Sequence, residues 1–123
     1  MIPINLWLHL VLENIQTISD LDYQYENWVK GSNANIQDSY IETMSRLFDD
    51  SDVNNFIANY AVKAGLTYLQ TIELKKIIDA IDHYDGSKLT HEQLLKDPQW
   101  IKITDMAKET LKIMPKDSVD IKQ

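Results

Sequence analysis

The stretch that decides the fold is residues 3–18, with the sequence PINLWLHLVLENIQTI. Its apolar residues recur at positions 4, 8, 11, 15 and 18, which is the spacing of one face of an α-helix. Pro3 suits the first turn of such a helix, because the N–H that proline lacks has no partner there. The pattern therefore predicts an amphipathic helix from about Pro3 to Ile18.

The same stretch is apolar enough to be compared with a signal peptide. It carries Asn5 and His9, however, and it has neither a basic segment before it nor a small-residue cleavage site after it. No stretch reaches the roughly 18 apolar residues that a membrane span needs. The chain has no cysteine, which excludes disulfides, thiol catalysis and thiolate zinc sites. We predict a cytoplasmic protein that does not enter a membrane.

Helical periodicity continues along the chain and is interrupted at glycine and proline. The expected caps are Ser19 or Asp20, Asp38 or Ser39, Ser51, Thr67 or Thr71, Thr90, and Asp97 followed by Pro98. The apolar stripes of the expected helices lie within 21–29, 41–48, 53–64, 72–84, 90–95 and 100–114. Since no segment alternates as a strand does, we predict an all-α fold, an irregular orthogonal bundle of six or seven short helices. A loop is expected at 31–35, a single domain over 1–115, and a flexible tail over 116–123.

The net charge of −7 is distributed unevenly. Residues 1–60 contain nine acidic and two basic residues, whereas residues 61–123 contain ten of each. The whole excess of negative charge therefore belongs to the first half. Nucleic acid and anionic membranes would be repelled by it, so a basic protein is the complementary partner. The alternative is a solvated acidic surface that only keeps the chain dispersed in water.

Two segments have some of the features of a metal site. Asp50–Asn54 begins like a calcium-binding loop, but Asn55 and Ala61 stand where that loop needs glycine and glutamate. Asp79, Asp82 and His83 are spaced about one helical turn apart and could ligate a divalent ion, but no second carboxylate–histidine pair accompanies them. We predict no metal and no cofactor, with a metal-dependent enzyme as an alternative.

Catalytic patterns are also weak. Asp49 and Asp50 are adjacent, so on a helix they point about 100° apart and do not converge on one substrate. The chain has a single arginine and no glycine-rich phosphate loop. We therefore predict that the chain is not an enzyme.

Among the aromatic residues, helical spacing places Tyr25 and Trp28 in the core and leaves Tyr23 as a contact residue. His91 is expected to be exposed.

Three segments, Leu21–Val29 (LDYQYENWV), Leu47–Val53 (LFDDSDV) and Asp97–Trp100 (DPQW) leading to Ala107, resemble a family of small helical bacterial proteins. Some of its members resemble immunity proteins encoded beside polymorphic or contact-dependent growth-inhibition toxins. The resemblance implies a role in binding and neutralising a toxin domain. Its motifs fall here on Asp22, Tyr23, Trp28, Asp49, Asp50, Asp97, Pro98 and Trp100, of which we interpret Trp28, Asp97, Pro98 and Trp100 as structural.

Charge and resemblance together predict an immunity protein. Its partner would be a basic toxin, the C-terminal nuclease domain of a large secreted protein, whose active site the acidic surface covers in place of nucleic acid. The alternative is a helical adaptor or regulatory domain that self-associates through an apolar face. The predicted toxin-binding residues are Asp20, Asp22, Tyr23, Glu26, Asp49, Asp50 and Asp52, with a second patch at Asp79, Asp82 and Asp85.

Overall fold

The computed structural model describes residues 2–31 and 38–116. Its helices are α1 (Ile4–Ser19), α2 (Leu21–Gln24), α3 (Tyr40–Ser45), α4 (Val53–Asn59), α5 (Tyr68–His83), α6 (His91–Leu94) and α7 (Pro98–Lys112). A π-helical turn, Tyr25–Val29, extends α2, and another, Arg46–Asp50, extends α3. No strand occurs in these ranges, so the all-α prediction is confirmed. The loop predicted at 31–35 lies, beyond Gly31, outside the described residues, as does the tail beyond Lys116.

Helix α1 is the central element of the fold. Its predicted stripe is buried at Leu8, Val11, Ile15 and Ile18, and Leu12 joins it with an exposed fraction of only 1%. Helix α7 packs along α1, and α2, α3 and α4 also contact it. Helix α5 packs against α7 and α4. The prediction that residues 3–18 form a core helix is thus confirmed, and the acidic segments of the first half are attached to this helix.

Most of the predicted helix starts are confirmed by hydrogen bonds from backbone to side chain. Asp20 accepts from Tyr23 N, and Ser39 accepts from Glu42 N. Capping boxes form between each threonine and the glutamine three residues later, at Thr67–Gln70 and Thr90–Gln93. Asp97 caps α7, with Pro98 in the first turn. These bonds satisfy N–H groups that the first turn of a helix leaves without partners.

The prediction that Ser51 caps α4 is wrong. The residue before α4 is Asp52, whose backbone is left-handed with a φ of 45° and whose side chain makes no capping bond. Ser51 is buried instead. Its carbonyl accepts the indole N–H of Trp7 at 2.5 Å, and its hydroxyl accepts from the amide of Asn14 at 3.2 Å. Ser51 therefore fixes the corner between α3 and α4 onto α1.

The predicted extent of α4 is also wrong. The helix ends at Asn59, and residues 60–65 form turns that close at Gly65, which has a φ of 101°. A left-handed backbone of this kind is strained for residues with a Cβ atom. Tyr60 and Ala64, which were expected on the buried stripe, are only partly buried.

The predicted stripe of α2 is shifted by one residue. Tyr25 was expected in the core but is 50% exposed, whereas Gln24 is fully buried. The amide nitrogen of Gln24 donates to the carbonyls of Thr17 and Ile18 at 3.0 and 2.8 Å, and its oxygen accepts from the indole of Trp100 at 2.9 Å. The last carbonyls of α1 lack helical partners, so a buried amide with two donors stabilises this end better than a phenol ring.

His91 is not exposed as predicted. Its Nε2 accepts from the backbone N–H of Tyr40 at 3.3 Å, and its Nδ1 lies 2.9 Å from the carbonyl of Trp28. Since Nε2 accepts, we assign the ring proton to Nδ1, which donates to Trp28. The ring thus joins the start of α3 to the π-helical turn after α2. It lies beside the ring of Trp28, which in turn lies beside the ring of Trp100.

Candidate acidic interface

The first group of predicted acids lies on α2. Asp20, Asp22 and Glu26 are all exposed. Asp20 is used locally as a cap, and Glu26 lies 3.7 Å from Lys30, one turn further along. Exposed pairs of this kind contribute little to stability. We refer to these three residues as the α2 acids.

The second group lies at the corner between α3 and α4. Asp49, Asp50 and Asp52 are exposed, and none of them forms an ion pair with a described residue. Asp52 accepts from the amide of Asn55 at 3.3 Å. Its left-handed backbone costs free energy, although aspartate tolerates that conformation better than most residues. We refer to Asp49, Asp50 and Asp52 as the corner acids.

Asp38 joins the two regions that carry these acids. Its side chain is only 2% exposed. It accepts from the hydroxyl of Tyr23 at 2.7 Å, the guanidinium of Arg46 at 2.8 Å, the hydroxyl of Thr43 at 3.2 Å and the N–H of Ser39 at 2.8 Å. Four donors on one buried carboxylate are a strong cross-link. The network holds α2 against α3 and its π-helical turn.

The ionisation of this network follows from its contacts. Burial of Asp38 raises its pKa, but hydrogen bonds from Tyr23, Arg46 and Ser39 outweigh this and hold the pKa below its usual range. Burial, together with the hydrogen bond to Asp38 and its charge, raises the pKa of Tyr23 to about 12. Tyr23 is therefore a neutral donor to an ionised carboxylate. The indole N–H of Trp28 faces the same carboxylate but has no hydrogen bond of good geometry in the described part of the chain.

This network has a consequence for the surface charge. Arg46 is the only arginine of the chain, and its guanidinium is engaged by the buried Asp38. Among residues 1–60 the remaining charges are eight acids and Lys30, and Lys30 is already beside Glu26. The net charge of −7 is therefore carried by side chains outside the Asp38–Arg46 pair.

The two groups of acids are anchored to different parts of the fold. Asp38 ties α2 to α3 and to Arg46 at the start of its π-helical turn. Ser51, directly after that turn, is tied to Trp7 and Asn14 on α1. The α2 acids are thus placed through Asp38, and the corner acids through Ser51.

The two groups also differ in their neighbours. Asp20 and Asp22 border a groove whose other wall carries Lys108 and Lys112 from α7. These lysines weaken the negative potential at the α2 acids. No lysine or arginine among the described residues pairs with the corner acids, so the corner is the more strongly negative of the two regions.

The second predicted patch is a separate feature near the end of α5. Asp79 pairs with Lys75 at 3.1 Å. Asp85 accepts from the N–H and hydroxyl of Ser87 at 2.9 and 2.6 Å, and these bonds lower its pKa. Asp82 is exposed. No group of three or more histidine or acidic residues suited to a metal ion was found in residues 2–31 and 38–116.

The structural motif residues are placed as interpreted. Trp28 and Trp100 are buried, and Asp97 and Pro98 start α7. The role of Asp38 was not foreseen, because its position beside Ser39 marked it only as a possible cap. A single arginine in an acidic chain was the available signal, since arginine is the cation best suited to pair with a buried carboxylate.

Alkaline titration tests the hydrogen bonds of the buried tyrosines. The pKa is raised for Tyr23 and, mainly by burial, for Tyr40 and Tyr84. A pKa raised in the fold adds stability that is complete below pH 10 and is lost as the pH rises through the folded value. We expect the phenolate absorbance of Tyr23, Tyr40 and Tyr84 to appear late, with unfolding. Asp38→Asn should make one of the three ionise earlier. Ionisation of all six tyrosines by pH 11 in a protein that stays folded would contradict the assignment.

Comparison with protein-family models, curated proteins and solved structures finds no match to the chain. Within the described residues, no helix has the length and apolar character needed to cross a membrane.

Proposed function

We propose that this chain is an immunity protein, which binds a cognate toxin domain and blocks its active site with an acidic surface. The partner is a basic protein, the C-terminal nuclease domain of a large secreted toxin, met in the cytoplasm. The observation that carries the proposal is the internal use of Arg46 by Asp38, which leaves the corner acids without an ion-pair partner among the described residues.

The physical basis is charge complementarity with a nucleic-acid-binding groove. A nuclease holds phosphates with lysine and arginine, and carboxylates can occupy the same positions, in two-pronged pairs where the cation is arginine. Unpaired corner acids suit this role, because binding need not first break an ion pair. Long-range attraction of this kind raises association rates by roughly 10- to 1000-fold.

Tyr25 is the aromatic anchor that we assign to this surface, in place of Tyr23. The hydroxyl of Tyr23 is held by Asp38, whereas half of Tyr25 is exposed. The ammonium of Lys30 lies 5.7 Å from its ring centroid. Exposed tyrosine provides apolar area and a hydroxyl in one side chain, which is typical of residues that dominate protein interfaces.

The proposal is tested by identifying the gene next to the one that encodes this chain and by expressing its C-terminal domain. We expect it to encode a large secreted protein, and we expect expression of its C-terminal domain to stop bacterial growth. Co-expression of the wild-type chain should restore growth. The variant Asp22→Lys, Asp49→Lys, Asp50→Lys should fail to do so at equal abundance. It spares Asp20, which caps α2, and Asp52, whose left-handed backbone disfavours lysine. A neighbouring gene without such a domain, or full protection by the variant, would contradict the proposal.

A helical adaptor is the second candidate. The observation that favours it is the exposure of apolar side chains in the second half, with Val62, Tyr68 and Leu69 exposed by 71, 80 and 63%. Such residues mark contact surfaces when they lie together. These residues belong to the second half of the chain, whereas the α2 acids and the corner acids belong to the first.

A further inference from the structure

A groove runs between the outer faces of α5 and α7. Its volume is about 580 Å³. Leu69 and Ile77 from α5 and Met106 and Ile113 from α7 supply its apolar residues. Leu69 is 63% exposed and Ile113 39% exposed, so the groove has an apolar floor that the described residues leave open.

One end of this groove is held by the fold. The side-chain amide of Gln70 donates to the carbonyl of Ile113 at 2.7 Å. Gln70 also belongs to the capping box at the start of α5. The start of α5 and the end of α7 are therefore linked, which fixes the width of the groove at this end.

The rim carries charges of both signs. Lys102, Asp105 and Glu109 lie on α7, and Glu73 and Lys76 lie on α5. Glu109 pairs with Lys112 at 3.0 Å and Glu73 with Lys76 at 3.1 Å, whereas Lys102 and Asp105 make no ion pair with any described residue. Two lysines nearly offset three acids, so the rim attracts neither a strongly basic nor a strongly acidic partner, and its occupant differs from that of the acidic interface.

We propose that this groove is a homodimer interface, in which the α7 helices of two copies of this chain pack antiparallel about a twofold axis. The twofold axis passes between Asp105 and Met106. Each residue of one helix then faces the residue of the other helix for which the two residue numbers add up to 211. Lys102 of each copy then lies opposite Glu109 of the other. The symmetry therefore generates two identical ion pairs.

The distribution of charge supports a second copy as the occupant. Two copies carry −7 each and repel one another most strongly through their acidic halves. Residues 61–123 are balanced, with ten acids and ten lysines, so contact through α5 and α7 keeps the acidic surfaces apart. Met106, at the centre, is flexible and apolar and adapts well to a symmetric contact. The dimer is independent of the proposed immunity function.

Sedimentation equilibrium of the full chain tests the dimer. We expect wild type to shift from monomer to dimer as its concentration rises from 1 µM to 1 mM. Lys102→Glu and Glu109→Lys should each raise the dissociation constant at least tenfold, because each places like charges opposite one another. The double variant should return to within about threefold of wild type, since both pairs are restored in reverse.

Two further variants sharpen the test. Asp105 lies beside the axis and so approaches its own counterpart, which predicts that Asp105→Asn strengthens the dimer several-fold. Lys88→Glu, in the exposed loop before α6, changes the net charge by the same amount as Lys102→Glu and should have little effect. A wild-type chain that stays monomeric at 1 mM would overturn the proposal. A double variant as weak as the single variants would overturn it as well.

Discussion

Replacing Asp38 with alanine is expected to lower the free energy of unfolding by about 3 kcal/mol, at the lower end of the cost of breaking a buried ion pair. The substitution leaves Arg46, Tyr23 and Thr43 without the acceptor they share. We expect the loss in the free energy of unfolding to be at the lower end of this range because 38% of the Arg46 side chain is exposed. Water can therefore solvate part of the charge that Asp38 no longer pairs with. Chemical denaturation followed by circular dichroism measures the change.

The matched control removes both charges. Asp38→Leu combined with Arg46→Met replaces the pair with apolar side chains and leaves no unpaired charge, which is often close to neutral for stability. We expect this double variant to recover more than half of the loss. An Asp38→Ala variant within 1 kcal/mol of wild type would mean that the network does not hold α2 against α3.

The same network determines how acid affects the fold. The pKa of Asp38 is lowered in the folded protein, so its contribution is present above the ordinary aspartate value and is lost as the pH falls through the folded value. The acidic surface loses its charge in the same direction. Both the fold and the attraction for a basic partner are therefore expected to weaken in acid.

Local signals in the sequence predicted much of the fold. The stripe of α1 and the capping boxes at Thr67 and Thr90 depend on neighbours within one or two turns, and such patterns can be read from the chain directly. Asp97 with Pro98 is a signal of the same kind. These elements were predicted correctly because their packing uses the same residues that the local pattern marks, as where the stripe of α1 is buried against the other helices.

The misjudged positions depend on residues far away in the chain. Gln24 is buried because it bonds to Trp100, 76 positions later, and Ser51 is buried because Trp7 and Asn14 bind it. His91 is bonded to Tyr40 and Trp28 rather than to water. Each of these polar groups has its partner on another helix, and the spacing within one segment carries no information about that partner.

The candidate site was predicted in part. The sequence placed the excess negative charge in the first half, and the acids there are mostly exposed. Their division into α2 acids and corner acids was not foreseen, since it results from the path of α3 between two anchors. The lysines of α7 beside Asp20 and Asp22 likewise come from the opposite end of the chain.

Reversing three surface charges is expected to have the largest effect on binding. The variant Asp22→Lys, Asp49→Lys, Asp50→Lys changes the net charge by six and should slow association with the neighbouring gene's toxin domain by about 10- to 100-fold at low salt. The fold should be retained, because all three side chains are exposed and none of them caps a helix. A reversal of Glu73, Glu92 and Glu109 to lysine, on the balanced half, is the matched control. At nanomolar concentrations the proposed dimer is dissociated, so the reversal at Glu109 does not act through it, and the rate should change far less.

The most direct test of the central claim is the rate of this association, measured by stopped-flow fluorescence at nanomolar concentrations and at several salt concentrations. If carboxylates capture a basic partner, the association rate of the wild-type chain should fall at least about tenfold as the salt concentration rises from 20 to 500 mM. The triple variant should associate slowly at every salt concentration. A rate that does not depend on salt, and that is the same for wild type and the triple variant, would contradict the claim.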